Sequence, residues 1–370
     1  MRVVWRHRQT NHCGGRGAVS IILDRDRVTI HNGDCRNILA TPAIPYGSVH
    51  CCVTSPPYWA LRDYEHPDQI GQEPTPEEYI ANLVRVFRGV WHTLRDDGTL
   101  WLNLGDTYGA DKQLLGLPWR VALALQADGW YLRQDLIWHK PSPMPESVTD
   151  RCTKAHEYVF LMAKSQRYYY DAEAISEAGA WCGKQLGILR GKKVRAESMG
   201  RKPSGNEIAG ADATSPDRRN RRSVWTISTK PYPGAHFAVF PPELVEPCIL
   251  AGTSAEGCCA ACGAPWERVT QRTKLERDRP NAFTKRTGEA GTGNSCANTV
   301  AGVAVTTLGW EPTCDCPDHP PIPCTVLDPF MGTGTTAEVA QNAGRRAVGI
   351  ELNPEYCDLI ADRFRQRRLV

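Results

Sequence analysis

Two short runs of this sequence contain residues whose types and spacing could do chemistry. Residues 54–59 read TSPPYW, and residues 328–335 read DPFMGTGT. The first run combines a hydroxyl group, two prolines that stiffen the backbone and an aromatic ring. The second run combines an acid with two glycines, which let a backbone turn tightly and approach a ligand closely. The first run therefore suits a flat polar group, and the second suits a charged small molecule.

The glycine run lies between a predicted strand, TVLDPF, and a predicted helix, TAEVAQNAG. Gly332 and Gly334 allow the turn, and the helix after them directs its N-terminal amides at a carboxylate or phosphate. The next predicted strand ends at Glu351, where an acid can accept both hydroxyls of a ribose. A tight structural turn is the alternative. The coincidence with Asp328 favours a nucleoside cofactor, and the missing third glycine favours S-adenosylmethionine over a dinucleotide.

The proline run suits a base that has been turned out of a nucleic acid. Tyr58 offers a flat face for stacking, while the Ser55 hydroxyl and the Pro56 carbonyl can accept hydrogens from an exocyclic amine. Two acceptors pull the amine nitrogen toward tetrahedral geometry and free its lone pair for attack on a sulfonium methyl, so that orientation can supply most of the rate. A rigid proline loop with packed aromatic rings is the alternative.

Alternating helices and strands position both runs. Strands are predicted at residues 48–54, 98–104, 130–138 and 157–163, and helices at residues 75–95, 117–128 and 236–251. Residues 19–39 predict a strand or hairpin followed by the start of a helix, and residues 325–370 alternate twice between strand and helix. This alternation favours an α/β sheet that is covered on both faces.

Together the two runs resemble the catalytic and cofactor motifs of the amino-methyltransferases that act on DNA bases. Their order along the chain, with a basic variable region between them, is characteristic of the β class of that family. The resemblance covers most of residues 27–175 and 231–370. It implies an α/β, Rossmann-like, S-adenosylmethionine-dependent methyltransferase fold with a mostly parallel sheet and a target-recognition insertion. The cysteine-rich residues 253–324 are expected to add a zinc-binding insertion, which is not part of the minimal β-class pattern.

The resemblance also assigns site residues. The predicted catalytic residues are Ser55, Pro56, Pro57 and Tyr58. The predicted cofactor-binding residues are Asp34, Thr54, His236, Asp328, Phe330, Gly332, Gly334, Thr335, Glu351 and Asn353. The catalytic half is expected at residues 20–175, the target-recognition region at 176–232, and the cofactor half at 233–252 and 325–370.

The serine at position 55 bears on the substrate. In this superfamily a serine before the prolines is typical of cytosine N4 methylation, whereas aspartate or asparagine there is typical of adenine. We therefore expect N4 methylation of cytosine in double-stranded DNA, for protection from a restriction endonuclease that is a possible partner. Adenine N6 methylation at the same site is the nearest alternative. A catalytically inactive, zinc-containing DNA-binding protein and an RNA methyltransferase are the others.

The variable region is basic. Between Lys184 and Lys230 the sequence has 12 Lys and Arg against 4 Asp and Glu. A solvated linker is one interpretation of such a stretch, but its place in the resemblance favours contact with DNA. The predicted DNA-binding residues are Arg190, Lys192, Lys193, Arg195, Arg218, Arg219, Arg221 and Arg222.

The cysteines are concentrated in residues 253–324, a segment with little apolar periodicity. Cys259 and Cys262 form a C-x2-C pair, and Cys314 and Cys316 form a C-x-C pair. Four thiolates can close a tetrahedral structural zinc site, so we expect these residues to bind Zn²⁺. Competing ligands are Cys258, Cys324 and His319, and free thiols in a loop are the alternative. The total of 15 cysteines is odd and the chain is long, which argues against a disulfide framework.

The composition limits the classes of protein to which this chain can belong. The chain has 370 residues, 41% of them hydrophobic, and a formal net charge of +3. These values exclude wholesale disorder and collagen-like structure. No stretch approaches the roughly 18 consecutive apolar residues of a membrane span, and the basic N-terminus lacks the apolar core of a signal peptide. We therefore expect a cytoplasmic, nucleoid-associated protein with no membrane partner, encoded by a bacterium or a phage.

Overall fold

The computed structural model describes residues 20–64, 66–178, 218–229, 240–274, 303–317 and 319–366. The strands are β1 (Ser20–Arg25), β2 (Val28–Asn32), β3 (Val49–Thr54), β4 (Leu94–Leu104), β5 (Tyr131–His139), β6 (His156–Ala163), β7 (Glu177–Ala178), β8 (Arg218–Arg219), β9 (Val224–Thr226), β10 (Trp266–Lys274), β11 (Val303–Pro312), β12 (Thr325–Asp328) and β13 (Arg346–Glu351). The helices are α1 (Cys35–Ile38), α2 (Pro76–Thr93), α3 (Leu117–Ala127), α4 (Pro242–Gly252), α5 (Thr335–Asn342) and α6 (Pro354–Gln366).

Nine of these strands form one sheet in the order β1-β2-β13-β12-β3-β4-β6-β5-β9. The central strands β2, β13, β12, β3 and β4 are all parallel, while β1 and the β5–β6 pair bring antiparallel neighbours. All six residues of β3 are buried, as expected for a central parallel strand that is covered on both faces. The predicted α/β sheet is therefore observed.

Helices cover both faces of the sheet, so that two cores form. Apolar residues of α2 and α3, among them Leu83, Val90 and Leu125, pack in one core. Residues of α4, α5 and α6, among them Ile249 and Ile360, pack in the other. Helix α2 begins as its sequence predicts, because Thr75 is its N-cap and accepts a hydrogen bond from the Glu78 amide at 3.3 Å.

Two segments that look irregular in sequence contain strands. Strands β10 and β11 pair as an antiparallel hairpin, and β9 joins the main sheet beside β5. No described residue of β10 is buried, so the hairpin has no apolar face and shows no alternation that the sequence could reveal. In β9 the only buried residue is Trp225, at 4% exposure. The predicted target-recognition region, residues 176–232, therefore includes one strand of the main sheet.

The predicted helix at 236–251 is observed as α4, which begins only at Pro242 after a proline N-cap, Pro241. Residues 236–239 lie outside the described residues. Among the described residues, no helix has both the length and the apolar character needed to cross a bilayer.

Candidate active site

The carboxyl ends of the parallel strands bring the two sequence runs together at one edge of the sheet. Strand β3 ends at Thr54 and continues into the proline loop, which we define as residues 55–58. The neighbouring strand β12 ends at Asp328 and continues into the glycine turn, which we define as residues 329–334. Since β3 and β12 are parallel neighbours, the two runs lie side by side although most of the chain separates them.

Asp328 joins these two runs. Its Oδ1 atom accepts hydrogen bonds from the Thr54 hydroxyl at 2.6 Å and from the Phe330 amide at 3.0 Å. Its Oδ2 atom accepts from the Thr336 hydroxyl of α5 at 2.6 Å. Asp328 is only 1% exposed, and burial raises its pKa to about 6 against the opposing effect of these hydrogen bonds. Both oxygens are thus engaged by the protein itself, and the carboxyl group fixes the loop, the turn and the helix to one another.

Glu351 lies at the end of the next strand, β13, and faces the glycine turn. Its Oε2 atom accepts the Gly332 amide at 2.7 Å, and its Oε1 atom accepts the Asn353 amide at 2.8 Å. Burial raises the pKa of Glu351 to about 7, and the nearby charge of Asp328 adds to the rise. Each carboxylate oxygen has a second lone pair, so this acid can still accept hydroxyl groups from a ligand.

The glycine turn has the backbone conformation that its sequence predicts. Gly332 and Gly334 have φ values of +55° and +85°, which residues with a Cβ rarely adopt. Helix α5 follows directly and begins at Thr335, which is buried. The turn also contains Thr333, whose side-chain oxygen is buried and has no hydrogen-bond partner among the described residues. Such an orphaned hydroxyl suits a polar ligand group, and the sequence prediction had not included it.

Asp34 occupies the loop between β2 and α1, on the far side of Glu351. It is the N-cap of α1, where it accepts from the Arg36 amide at 2.8 Å and forms a salt bridge with the Arg36 guanidinium at 2.7 Å. Asn32, beside it, donates to the backbone carbonyls of Glu351 and Leu352. The loop is therefore tied to the acid at the end of β13. His236, which was also predicted to bind cofactor, lies outside the described residues.

In the proline loop, the Tyr58 hydroxyl is anchored rather than free. It donates to Glu157 Oε2 of β6 at 2.7 Å, and the Ser55 hydroxyl donates to it at 3.3 Å. Burial and the Glu157 charge raise the pKa of Tyr58 well above its ordinary value. A Cβ at position 105 would lie 2.6 Å from the Tyr58 ring, so Gly105 is needed for the ring to sit there. The Pro57 carbonyl accepts from the Tyr79 hydroxyl at 2.9 Å.

Three residues that the sequence analysis missed complete this site. Asn103, near the end of β4, donates through Nδ2 to the Tyr58 hydroxyl and to Glu157, each at 2.9 Å, and approaches Ser55 Oγ at 3.4 Å. Its side-chain oxygen is buried and has no partner among the described residues. Lys140, just after β5, donates to the other carboxylate oxygen of Glu157. No local spacing marks these residues, because each comes from a different strand.

The cysteine cluster, which we define as Cys259, Cys262, Cys314 and Cys316, forms a compact group. Its four sulfur atoms all lie within 4.8 Å of one another. Antiparallel pairing of β10 and β11 closes the long gap between the two pairs, since Trp266 lies opposite Pro312 at the base of the hairpin. Four sulfurs bound at 2.3 Å to one tetrahedral zinc ion lie about 3.8 Å apart, so a slight contraction would close such a site.

The thiols of the cluster influence one another. Backbone amides of Cys262 and Ala261 lower the pKa of the Cys259 thiol to about 7. Hydrogen bonds with the Cys262 and Cys314 thiols raise the pKa of Cys316 to about 12. Four adjacent thiols cannot all ionise without a balancing charge, and a divalent cation would supply it.

A second group of possible ligands, His50, Cys258 and Cys324, lies nearby. Both ring nitrogens of His50 are already used, because Nδ1 accepts the Thr325 amide at 3.0 Å and Nε2 lies 2.9 Å from the Gly263 carbonyl. With Nδ1 as acceptor, Nε2 carries the hydrogen and donates it. His50 therefore links β3 to β12 and to the loop that carries Cys262 by hydrogen bonds. His319, the other competing ligand, is exposed.

The four described arginines of the predicted DNA-binding set pack against the protein to different degrees. Arg218 donates to the Ser176 carbonyl at 2.7 Å, and Arg221 lies 4.6 Å above the Trp225 ring. Arg219 and Arg222 both donate to Glu177. The side chain of Arg222 remains 70% exposed. The other four predicted residues, Arg190, Lys192, Lys193 and Arg195, lie outside the described residues.

Comparisons with known proteins agree with this geometry. The sequence model of a family of N6 and N4 methyltransferases, described as DNA methylase, matches residues 49–260 and 324–362. The Type II methyltransferase M.Cfr9I of Citrobacter freundii is 35% identical, over 92% of this chain and 89% of that protein. The Type II methyltransferase M.SmaI of Serratia marcescens is 36% identical, over 86% of this chain and 85% of that protein.

A solved structure shares the fold. The PvuII DNA methyltransferase, whose name describes it as cytosine-N4-specific, has a TM-score of 0.54 at 18% sequence identity and covers 91% of this chain and 86% of that one. At this identity the likeness shows the fold alone. The predicted fold is confirmed as the Rossmann-like α/β fold of S-adenosylmethionine-dependent methyltransferases.

Proposed function

This chain belongs to the N6/N4 DNA methylase family, and from that premise we propose that it methylates the exocyclic N4 amine of cytosine in double-stranded DNA. The methyl donor in this proposal is S-adenosylmethionine. The observation that carries the proposal is a pair of acceptors beside the proline loop, Ser55 Oγ and the orphaned Asn103 Oδ1.

The two acceptors match the two hydrogens of an exocyclic amine. The Ser55 hydroxyl gives its own hydrogen to Tyr58 and accepts Asn103 Nδ2 at 3.4 Å, which leaves one lone pair for a ligand. Asn103 Oδ1 is buried and lacks a donor among the described residues, so an amine hydrogen would satisfy it. Accepting both hydrogens orients the nitrogen and frees its lone pair for attack. An adenine amine would satisfy the same acceptors, and the choice of cytosine rests on the serine at position 55.

The residues of the glycine turn fit a sulfonium nucleoside. Glu351 retains lone pairs for ribose hydroxyls, and the Thr333 hydroxyl still lacks a partner among the described residues. The N-terminus of α5 suits the carboxylate of the methionine part. When bound, the cofactor supplies an electrophilic methyl group. Asp328 then acts as a positioning residue, because its oxygens are already engaged by Thr54, Thr336 and Phe330.

The cysteine cluster is proposed to hold a structural zinc ion. The support is the closeness of the four sulfur atoms, whose thiols shift one another's pKa values. A divalent cation would balance the negative charge of the four thiolates. Such an ion would have no open position, so it would stabilise the hairpin β10–β11 rather than take part in catalysis.

The proposed DNA contacts start from the basic region between the catalytic and cofactor halves. Arg222 is the described arginine of this region whose exposure best supports phosphate contact. The restriction setting is proposed from the relatives that are named Type II methyltransferases. A cognate restriction endonuclease is the partner that this setting implies, and the expected place of action is the bacterial cytoplasm.

The test is to incubate the protein with unmodified genomic DNA and labelled S-adenosylmethionine, digest the DNA to nucleosides, and identify the labelled species by mass spectrometry. Label in N4-methylcytosine is expected. Label in N6-methyladenine would overturn the cytosine assignment and keep the site. Ser55→Ala should abolish the label while cofactor binding persists. The matched control is Ser48→Ala, because the Ser48 hydroxyl donates to the Pro45 carbonyl before the start of β3, at the opposite end of that strand from Ser55.

A further inference from the structure

A chain of hydrogen bonds leads from the proposed base site to a carboxylate. The Ser55 hydroxyl donates to Tyr58 Oη at 3.3 Å, and Tyr58 Oη donates to Glu157 Oε2 at 2.7 Å. The three groups come from the proline loop and from β6, which lies two strands away from β3 in the sheet. The direction of the chain is fixed, because an ionised carboxylate can only accept and each hydroxyl has one hydrogen to donate.

Glu157 is held as an acceptor from several sides. Lys140 donates to Oε1, while Asn103 and Tyr58 both donate to Oε2. The Glu157 side chain is 13% exposed, and Lys154 is a further cation close enough to interact with it. These donors fix the orientation of both carboxylate oxygens at a site that is largely closed to water.

We propose that Ser55 and Tyr58 pass the proton of the methylated amine to Glu157, in concert with methyl transfer. This inference rests on the proposed function. As the amine nitrogen bonds to the methyl carbon, the carbon–sulfur bond breaks and its electron pair stays on sulfur. The nitrogen then holds one proton too many. That proton moves to Ser55 Oγ, the Ser55 proton moves to Tyr58 Oη, and the Tyr58 proton moves to Glu157, which becomes neutral.

The two hydroxyl groups are suited to passing a proton and not to keeping one. The raised pKa of Tyr58 disfavours a lasting tyrosinate, so a proton that arrives at Oη releases the one already there. Glu157 is the carboxylate at the end of this chain and lies on the strand that pairs with the end of β4. An alkylated ammonium is strongly acidic, so the carboxylate that finally takes its proton need not be a strong base.

The experiment compares Glu157→Gln and Tyr58→Phe with wild type in single-turnover methylation of duplex DNA, in water and in deuterium oxide. Both variants should lose about a hundredfold in rate, a typical contribution of a positioned acid or base. The KM values for DNA and cofactor should stay within about twofold, because neither group binds them in this scheme. The solvent isotope effect of wild type should vanish in both variants. Tyr58→Phe keeps the ring against Gly105, so it tests the relay even if Glu157→Gln folds poorly.

Asp128→Asn is the matched control. It also breaks a partly buried ion pair, with Arg88, but Asp128 lies at the C-terminal end of α3 and its carboxylate contacts no residue of the relay. Its rate and isotope effect should equal those of wild type. Rates within about threefold of wild type in both relay variants would overturn the relay and leave the proposed function standing. Absence of any labelled nucleoside with wild-type protein would overturn both.

Discussion

The hydroxyl of Thr54 donates a 2.6 Å hydrogen bond to Oδ1 of Asp328, although the two residues are 274 positions apart in the chain. Thr54 is the last residue of β3 and leads into the proline loop, while Asp328 is the last residue of β12 and leads into the glycine turn. A single buried carboxyl group thus fixes the position of the proposed base site relative to the proposed cofactor site.

This relationship can be tested with two threonine variants of equal size. Thr54→Val and Thr336→Val each remove one hydroxyl that donates to Asp328, and both threonines are buried. Each should lower the free energy of unfolding by about 1–3 kcal/mol, as measured by denaturant titration. Only Thr54→Val should also lower kcat, by about tenfold, because it loosens the proline loop. Equal kcat in the two variants would contradict this role for the bond.

The buried acids predict how stability depends on pH. Burial raises the pKa of Glu351 from 4.5 to about 7, so the native state binds the proton more tightly than the unfolded state does. The free energy of unfolding of the cofactor-free protein should therefore fall as pH rises through this window, since the stabilisation is present at low pH and is lost above it. Asp328, raised to about 6, acts in the same direction.

Denaturant titrations at about pH 5 and about pH 7.5 measure this change, and Glu351→Gln should make the difference smaller. Glu355→Gln is the control, because Glu355 is exposed. A wild-type stability that rises over the same interval would show that the buried carboxyl groups do not dominate its pH dependence.

The cysteine cluster predicts a bound metal. Protein prepared with zinc should contain about one zinc ion per chain by elemental analysis, and Cys259→Ser should lose it and melt at a lower temperature. Cys152→Ser is the control, because Cys152 is exposed and outside the cluster. Equal stability of wild type before and after complete removal of metal would rule out a structural role for the ion.

Two arginines of the basic region should have different roles, one in DNA binding and the other in stability. Arg222→Ala should weaken DNA binding and reduce its dependence on salt by about one unit of slope, since one phosphate contact is lost. Arg218→Ala should instead lower stability, because its guanidinium donates to the Ser176 backbone carbonyl. Binding titrations at several salt concentrations separate the two effects, and the same salt slope for Arg222→Ala and wild type would contradict the assignment.

Local patterns in the sequence were sufficient for the parts of the site that lie within one strand–turn–helix unit. Gly332, Gly334 and Glu351 occupy the turn and the strand end where their spacing predicted them. The two cysteine pairs that the structure brings together were likewise predicted from spacing, because two short pairs of cysteines are recognisable even when a hairpin separates them. In these cases the chemistry depends on neighbours in the chain.

Asn103, Glu157 and Lys140 could not be found in this way. Asn103 and Glu157 contact Tyr58, and Lys140 contacts Glu157, only because the sheet order places β4, β6 and β5 side by side. A single sequence does not specify that order. The hairpin β10–β11 could not be predicted from the sequence for another reason. Its described side chains are half-buried or exposed, so it lacks the alternation by which strands are recognised, and Arg268, which binds the buried Asp171, helps to hold it in place.

The order of the central strands has a consequence for how the protein is made. Strands β12 and β13 lie between β2 and β3, yet the ribosome produces them more than two hundred residues later. During synthesis, β2 and β3 have unpaired edges, because the strands that lie between them in the finished sheet do not yet exist. Unpaired edges can form hydrogen bonds with the wrong strand. The position between β2 and β3 cannot be filled until β12 and β13 have been made, and only then can Asp328 reach Thr54. Methyltransferase activity therefore cannot precede the synthesis of β13. A chain interrupted before Thr325 would lack β12 and β13, the two strands at the centre of the sheet.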